Sequence, residues 1–311
     1  MQAKRLPAGG TIGLFCPSHV ADMTRYEADI TAIKRLGFRV KLSENFEKAT
    51  NGYAASAQER AADFNALVAD ASVDMILFNG GNSAVEILPL IDYENVRQHP
   101  KLISSYSDAT PVLNAIHAQT GLVTYYGTCA GDFRDLRYYN YMQFLAHFME
   151  GYEARGFCQD SPWRVIHGGS CQGTLVGEYT SQFSQLLANR YFNYDTGRKY
   201  ILFIESHEKF SWVGKVATDL AFIGQSRFMD NVAGLVFGHY ATTQPDDFLR
   251  LLERFGKEHD IPVVYSDDFG HGAKRAVFPI GMDARLDADG QKMSFLGYNE
   301  TNEKRSRPSG I

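Results

Sequence analysis

A hydroxyl at Ser107, a carboxyl at Glu205 and an imidazole at His271 are the groups that together activate an oxygen nucleophile, provided the fold gathers them in one place. Ser107 stands in Leu102-Ile-Ser-Ser-Tyr-Ser-Asp-Ala-Thr-Pro, where an apolar strand runs straight into a helix. Asp108 or Thr110 can cap that helix, and Pro111 suits its first turn. A serine at such a junction projects from the sheet edge, and the N–H groups after it point toward whatever it attacks. The glycines of a G-x-S-x-G elbow are replaced by Ser105 and Ala109, so an ordinary β–α turn fits the same residues. Gly80-Gly81 ends the preceding strand; it can offer N–H groups to a developing oxyanion or simply make a tight turn. A serine nucleophile needs a base, and the base an orienting acid. Glu205 closes the run Tyr200-Ile-Leu-Phe-Ile, and His271 lies between two glycines just beyond Ile261-Pro-Val-Val-Tyr-Ser. Ser, acid, His is also the chain order of α/β-hydrolase triads.

A second nucleophile competes. Tyr126-Gly-Thr-Cys129-Ala-Gly131 follows the apolar run Leu122–Tyr126 and fits G-x-C-x-G, the cysteine elbow of class I glutamine amidotransferases, with His207-Glu208 available as partners. Against it, Asp132-Phe-Arg-Asp-Leu-Arg is a poor start for a packed helix, and a buried Cys near a turn explains the pattern as well. Trp163 and Trp212 are the only tryptophans; either can stack on a ligand ring, although packing is the commoner role. Tyr138-Tyr-Asn-Tyr141 reads as packing for the same reason.

The elements that must position these residues alternate. Strands are expected at Thr11–Phe15, Phe38–Leu42, Asp74–Phe78 and Lys101–Ser105, with helices at about Thr24–Leu36, Ala57–Ala69, Ser83–Ile91 and from Pro111 to Ala118. That alternation predicts right-handed βαβ units and an α/β fold with a parallel sheet, whose ligands bind at the carboxyl ends of the strands. A second α/β region follows, with strands at Lys199–Ile204, Ala233–Phe237 and Ile261–Ser266 and helices at Val213–Phe228 and Asp246–Glu258. Gly131 to Gly169 has no clear period, and the last ten or so residues read as a loose tail. The expected organisation is an N-terminal α/β domain over 1–150 carrying the serine and a C-terminal α/β domain over 165–311 carrying the glutamate and histidine.

Composition narrows the partners. The 311 residues carry 31 Lys plus Arg against 36 Asp plus Glu, a net charge of -5, so no basic excess points to nucleic acid or an anionic membrane. The start has no apolar signal core and no run is long enough to span a bilayer, which makes a cytoplasmic protein the expectation. The four cysteines form no C-x-x-C pair and no Cys/His cluster has zinc-ligand spacing, so reduced thiols and no metal are expected.

Four blocks of this sequence resemble the LD-carboxypeptidase / microcin C immunity family of serine peptidases. Cys16-Pro-Ser18 is similar to its A-P-S. Gly80-Gly-Asn-Ser83 with Leu88-Pro-Leu-Ile-Asp-Tyr93 is similar to its G-G-x-x-S and L-P-x-[LI]-D-Y. Pro100-Lys101 through Tyr106-Ser-Asp-Ala-Thr110 is similar to P-K-x-x-x-G-Y-S-D-x-T. Ile201-Leu-Phe-Ile-Glu205 combines with Phe269-Gly-His-Gly272 and Phe278-Pro-Ile-Gly281. The resemblance implies a Ser107–Glu205–His271 triad between two domains, an oxyanion site from the N–H groups of Asp108 and of Gly80 or Gly81, a homodimer, and no metal or organic cofactor. It implies either aminoacyl-nucleotide amide hydrolysis or trimming of murein tetrapeptides. Asn79-Gly-Gly-Asn-Ser, in place of the R-G-G-Y-G of murein enzymes, favours the immunity-type branch, with Asn82 and Trp163 as substrate contacts. Three positions depart from the family: Ser105 for Gly, Thr128 for Pro, and Gly177-Glu-Tyr-Thr for G-G-N-L. A cysteine amidotransferase-like enzyme using Cys129 and a non-catalytic ligand-binding protein remain the alternatives.

Overall fold

The computed structural model describes residues 1–297, so the expected C-terminal tail lies outside the described residues. The N-terminal part builds five parallel strands: β1 (Thr11–Phe15), β2 (Arg39–Leu42), β3 (Met75–Phe78), β4 (Leu102–Ser105) and β5 (Thr124–Tyr126). They lie in the order 2-1-3-4-5. The inner strands β1, β3 and β4 are buried along their whole length, as a parallel sheet covered on both faces requires. Edge strand β2 alternates exposed and half-buried residues instead.

The second sheet contains β6 (Arg164–His167), β7 (Ser170–Tyr179), β8 (Tyr200–Glu205), β9 (Val232–His239) and β10 (Val263–Gly270). Strands β7 to β10 run parallel, and β6 pairs antiparallel with β10 at the edge. After β10 the chain first returns to the other sheet, where β11 (Phe278–Ile280) pairs antiparallel with β5. It then adds β12 (Asp283–Asp287) and β13 (Lys292–Leu296) beyond β7. The return of β11 stitches the sheets together. Phe278 stacks on Phe203 of β8 with ring centroids 4.4 Å apart, and Tyr126 of β5 packs edge-on to Phe203, Phe269 and Phe278.

The helix Thr110–Thr120 makes the second joint. Its start has proline in the first turn, and Gly121 ends it in the left-handed conformation with φ of 73°. Asn114 on this helix donates to the Gly177 carbonyl at 2.9 Å and accepts from the Gly177 N–H at 3.4 Å, docking the first layer on β7.

Three expectations are corrected. Ser83–Ile91 is not an α-helix but a 3₁₀ segment over Ala84–Leu90, because Pro89 has no N–H for the α pattern. The Val213 helix stops at Gly224 and resumes as a separate turn at Arg227–Asn231. Asp132–Asp135 does form a short helix, with Phe133 as its one buried anchor, and a longer helix at Tyr138–Phe148 occupies the region without a clear period. No helix among the described residues is long and apolar enough to cross a membrane.

Candidate active site

The order 2-1-3-4-5 reverses direction between β1 and β3, and a ligand crevice is expected at that switch, beyond the carboxyl ends of the strands. A cavity of about 630 Å³ opens there. Its wall is built from the loops after β1 (His19, Val20), β3 (Asn79 to Asn82), β4 (Tyr106 to Asp108) and β5 (Cys129, Gly131). The second sheet contributes Tyr179, Gln182, Phe210, His271 and Arg275.

Ser107 sits where β4 breaks into the helix. Its φ is 68°, a left-handed conformation that costs a non-glycine residue on the order of 1–3 kcal/mol. The strained turn aims the side chain into the cavity. His271 Nε2 lies 3.0 Å from Ser107 Oγ, and His271 Nδ1 lies 2.9 Å from Glu205 Oε2. These three residues, 66 and 164 positions apart in the chain, are therefore in hydrogen-bond contact. Glu205 is completely buried at the end of β8. His271 is boxed by the rings of Tyr106, Tyr179 and Phe210, with centroids 5.1, 5.3 and 5.4 Å away. The Gly270 N–H donates to the Tyr126 hydroxyl at 2.9 Å, pinning the loop immediately before the histidine.

The glycines have distinct tasks. A Cβ on Gly80 would come within 2.9 Å of Ser107 Cβ and 3.3 Å of Asp108 N, so this glycine lets the β3 loop close on the serine. A Cβ on Gly81 would strike the Ser18 hydroxyl and carbonyl, so Gly81 packs on the loop after β1. The Asp108 side chain ties the elbow in place: it accepts from the Ala84 N–H at 2.8 Å and from Gln182 Nε2 at 3.1 Å. Burial pushes its carboxyl above the usual carboxylate range.

The altered positions are absorbed. Ser105 is buried and donates to the Phe78 carbonyl at 2.6 Å, bridging β4 to β3. The buried Thr128 offers its carbonyl to Ser104 Oγ at 2.7 Å.

The other candidates separate. Cys129 also lies at the cavity wall, but burial, with the Asp132 carboxyl beside it, pushes its thiol far above the ordinary range. His207 stands beside His239 and His271, with ring centroids 5.6 and 6.5 Å away, whereas charged groups acting on the Cys129 thiol include Asp132, Arg275 and Arg134. Asn82 is at the exposed rim of the cavity. Trp163 is not at the cavity: it is buried against Phe157, 5.2 Å between ring centroids. Trp212 is 71% exposed and is not among the residues lining the cavity. Arg275 went unnoticed in the sequence, yet it lies over the Tyr106 ring at 4.5 Å and faces Asp132 at 3.6 Å. Its only signal is a basic residue four positions after the loop histidine.

Residues 12–127 match the N-terminal domain of LD-carboxypeptidases, and residues 172–286 match their C-terminal domain. The chain belongs to the LD-carboxypeptidase family. This LD-carboxypeptidase family member is a hydrolase of the peptidase type. It is 28% identical to the putative carboxypeptidase YocD of Bacillus subtilis (strain 168), covering 93% of this chain and 96% of YocD. It is 25% identical to the microcin C7 self-immunity protein MccF of Escherichia coli, covering 97% of each. The solved structure of MccF in complex with aspartyl sulfamoyl adenosine superposes on it with a TM-score of 0.81 at 22% identity, covering 95% of this chain and 98% of that one. The two-domain α/β fold is shared with MccF.

Proposed function

We propose that this hydrolase cleaves an amide bond with Ser107 as nucleophile, His271 as general base and then acid, and Glu205 as the group that orients and charge-stabilises the imidazole. The observation that carries the reading is the unbroken chain of contacts from Glu205 Oε2 through His271 to Ser107 Oγ, at 2.9 and 3.0 Å, ending on a serine in a strained elbow. Ser107 Oγ attacks the carbonyl carbon while His271 Nε2 takes its proton. The N–H groups of Asp108 and of Gly80 or Gly81 meet the developing oxyanion. His271 then gives the proton to the leaving nitrogen, and water hydrolyses the acyl-serine by the same route in reverse.

The substrate reading is an aminoacyl nucleotide, cleaved between its aminoacyl carbonyl and the nitrogen leading to the nucleotide. Asn79 and Asn82 at the cavity, in place of the arginine and tyrosine of murein enzymes, support it, as does the likeness to MccF over the whole chain. A cavity of about 630 Å³ is in the range that holds such a ligand. The test is mass-spectrometric cleavage of aspartyl sulfamoyl adenosine and of a murein tetrapeptide by wild type and Ser107→Ala. Wild-type cleavage of the nucleotide conjugate that Ser107→Ala lacks is the expected result. Cleavage of the tetrapeptide alone would move the chain to the murein branch, and equal cleavage by Ser107→Ala would overturn the triad.

A further inference from the structure

Beside Glu205 stands a second buried glutamate. Glu178 is on β7, one residue before Tyr179, which pairs with Glu205 across the sheet. Its φ is 109°, a conformation suited to glycine, and it follows Gly177, whose Cβ would collide with the Phe203 carbonyl. A side chain kept in so strained a place has to be held there by its contacts.

The contact is Thr110. Glu178 Oε2 lies 3.0 Å from Thr110 Oγ1. The same hydroxyl lies 2.6 Å from the Ser107 carbonyl oxygen and accepts from the Tyr179 N–H at 3.1 Å. A threonine hydroxyl has one proton and two lone pairs. Tyr179 fills one lone pair. The Ser107 carbonyl can only accept, so the single proton goes to it. The remaining lone pair faces Glu178, and that contact is a hydrogen bond only when the Glu178 carboxyl supplies the proton.

We propose that Glu178 is kept as a neutral carboxylic acid and serves as a positioning residue, its O–H locking Thr110 so that Thr110 fixes the Ser107 carbonyl and the nucleophile's elbow. The inference rests on the Ser107 hydrolase reading above. The surroundings agree with it. Burial pushes Glu178 well above the usual carboxylate range; the Thr110 contact pulls the other way, and the nearby Glu205 carboxyl adds to the rise. The other titratable group that Glu178 acts on is the Tyr126 hydroxyl of β5, itself pushed up by burial. A neutral acid donates a hydrogen bond without placing a second negative charge behind His271, where it would compete with Glu205.

Four proteins and three readouts test this. Difference infrared spectra at neutral pH are expected to show a protonated-carboxyl band in wild type that is missing from Glu178→Gln. Ser107 labelling by a fluorophosphonate is expected to be about tenfold slower in Glu178→Gly, although that variant relieves the backbone strain and melts no lower than wild type. Glu178→Gln keeps a neutral donor, so it is expected to label within about twofold of wild type and to lose the alkaline fall in rate that ionised Glu178 causes. No such band, or a Glu178→Gly protein that labels at the wild-type rate while Ser107→Ala does not label, would overturn the positioning role alone. Equal labelling of wild type and Ser107→Ala would overturn the reading on which it rests.

Discussion

Two neighbouring strand ends of the first sheet each carry a candidate nucleophile, and they differ in what surrounds it. The chain runs on from β4 to Ser107 and from β5 to Cys129, and the two strands are paired in register at Ser105 and Tyr126. Both side chains reach the same cavity. The serine has an imidazole at 3.0 Å, a buried glutamate behind that imidazole, and a glycine loop closed over its Cβ. The cysteine has Asp132 and Arg275 among its charged neighbours, and Asp132 accepts from its backbone N–H at 3.0 Å. A thiol attacks as thiolate, so an adjacent carboxylate and burial work against it. A hydroxyl needs a base, and in the mechanism proposed above His271 is that base. Side-chain type and strand-end position are the same kind of signal in both cases; the base on the other sheet separates them.

The largest effect is expected from deleting the nucleophiles one at a time. Ser107→Ala should lower kcat by about 10³-fold or more, because members of such a unit fail together. Cys129→Ala should leave kcat within about threefold, since its thiol takes part in no step of the proposed mechanism. Steady-state hydrolysis of whichever conjugate the wild type cleaves measures both, and a Cys129→Ala protein as slow as Ser107→Ala would reverse the comparison.

The supporting glycines sharpen it further. Gly80→Ala pushes a Cβ to 2.9 Å from Ser107 Cβ, and a displacement of the nucleophile by a fraction of an ångström to an ångström can cost up to about 10²-fold in rate. Gly131→Ala meets nothing closer than Arg134 Nη2 at 3.6 Å, at a φ of -66° that alanine adopts freely. The expected outcome is a loss of about 10- to 100-fold in kcat for the first and less than about twofold for the second. Comparable losses in both would mean that the β5 turn also positions reacting groups.

The strands and helices that carry Ser107 and Glu205 were legible because their burial is written in sequence. Strands β1, β3, β4 and β8 are short apolar runs with abrupt polar ends, and their observed limits lie within a residue or so of the expected ones. Strand β7 was not legible, because Ser170-Cys-Gln-Gly-Thr at its start is half polar, and its partner β12 lies more than 100 residues later. The crossing of β11 has the same character: three residues carry no period, and only pairing with Tyr126 reveals them. Within the site, Glu205 and His271 are legible at strand ends. The aromatic box around His271 and the Arg275–Tyr106 contact were not, because each depends on loops from different strands meeting in space. Residue type favours packing for Trp163 and the family resemblance a substrate contact; the structure buries it against Phe157, away from the cavity.

The smallest effect on activity is expected from the thiols themselves. Cys16 and Cys171 are pushed up to about 12 by burial, and Cys129 is raised too. Their thiolates are therefore minor species at pH 8, and each unit of upward shift lowers the reactive fraction about tenfold. Cys158 is the exposed one and is not among the cavity residues. Iodoacetamide at pH 8, followed by peptide mapping, should therefore modify Cys158 and spare Cys129, with hydrolysis unchanged. Raising the pH favours thiolate in Cys16, Cys129 and Cys171, so any Cys129 labelling should grow only on the alkaline side. Modification of Cys129 ahead of Cys158 at pH 8 would show a thiol activated in spite of its burial, and the serine would lose its distinction from its neighbour.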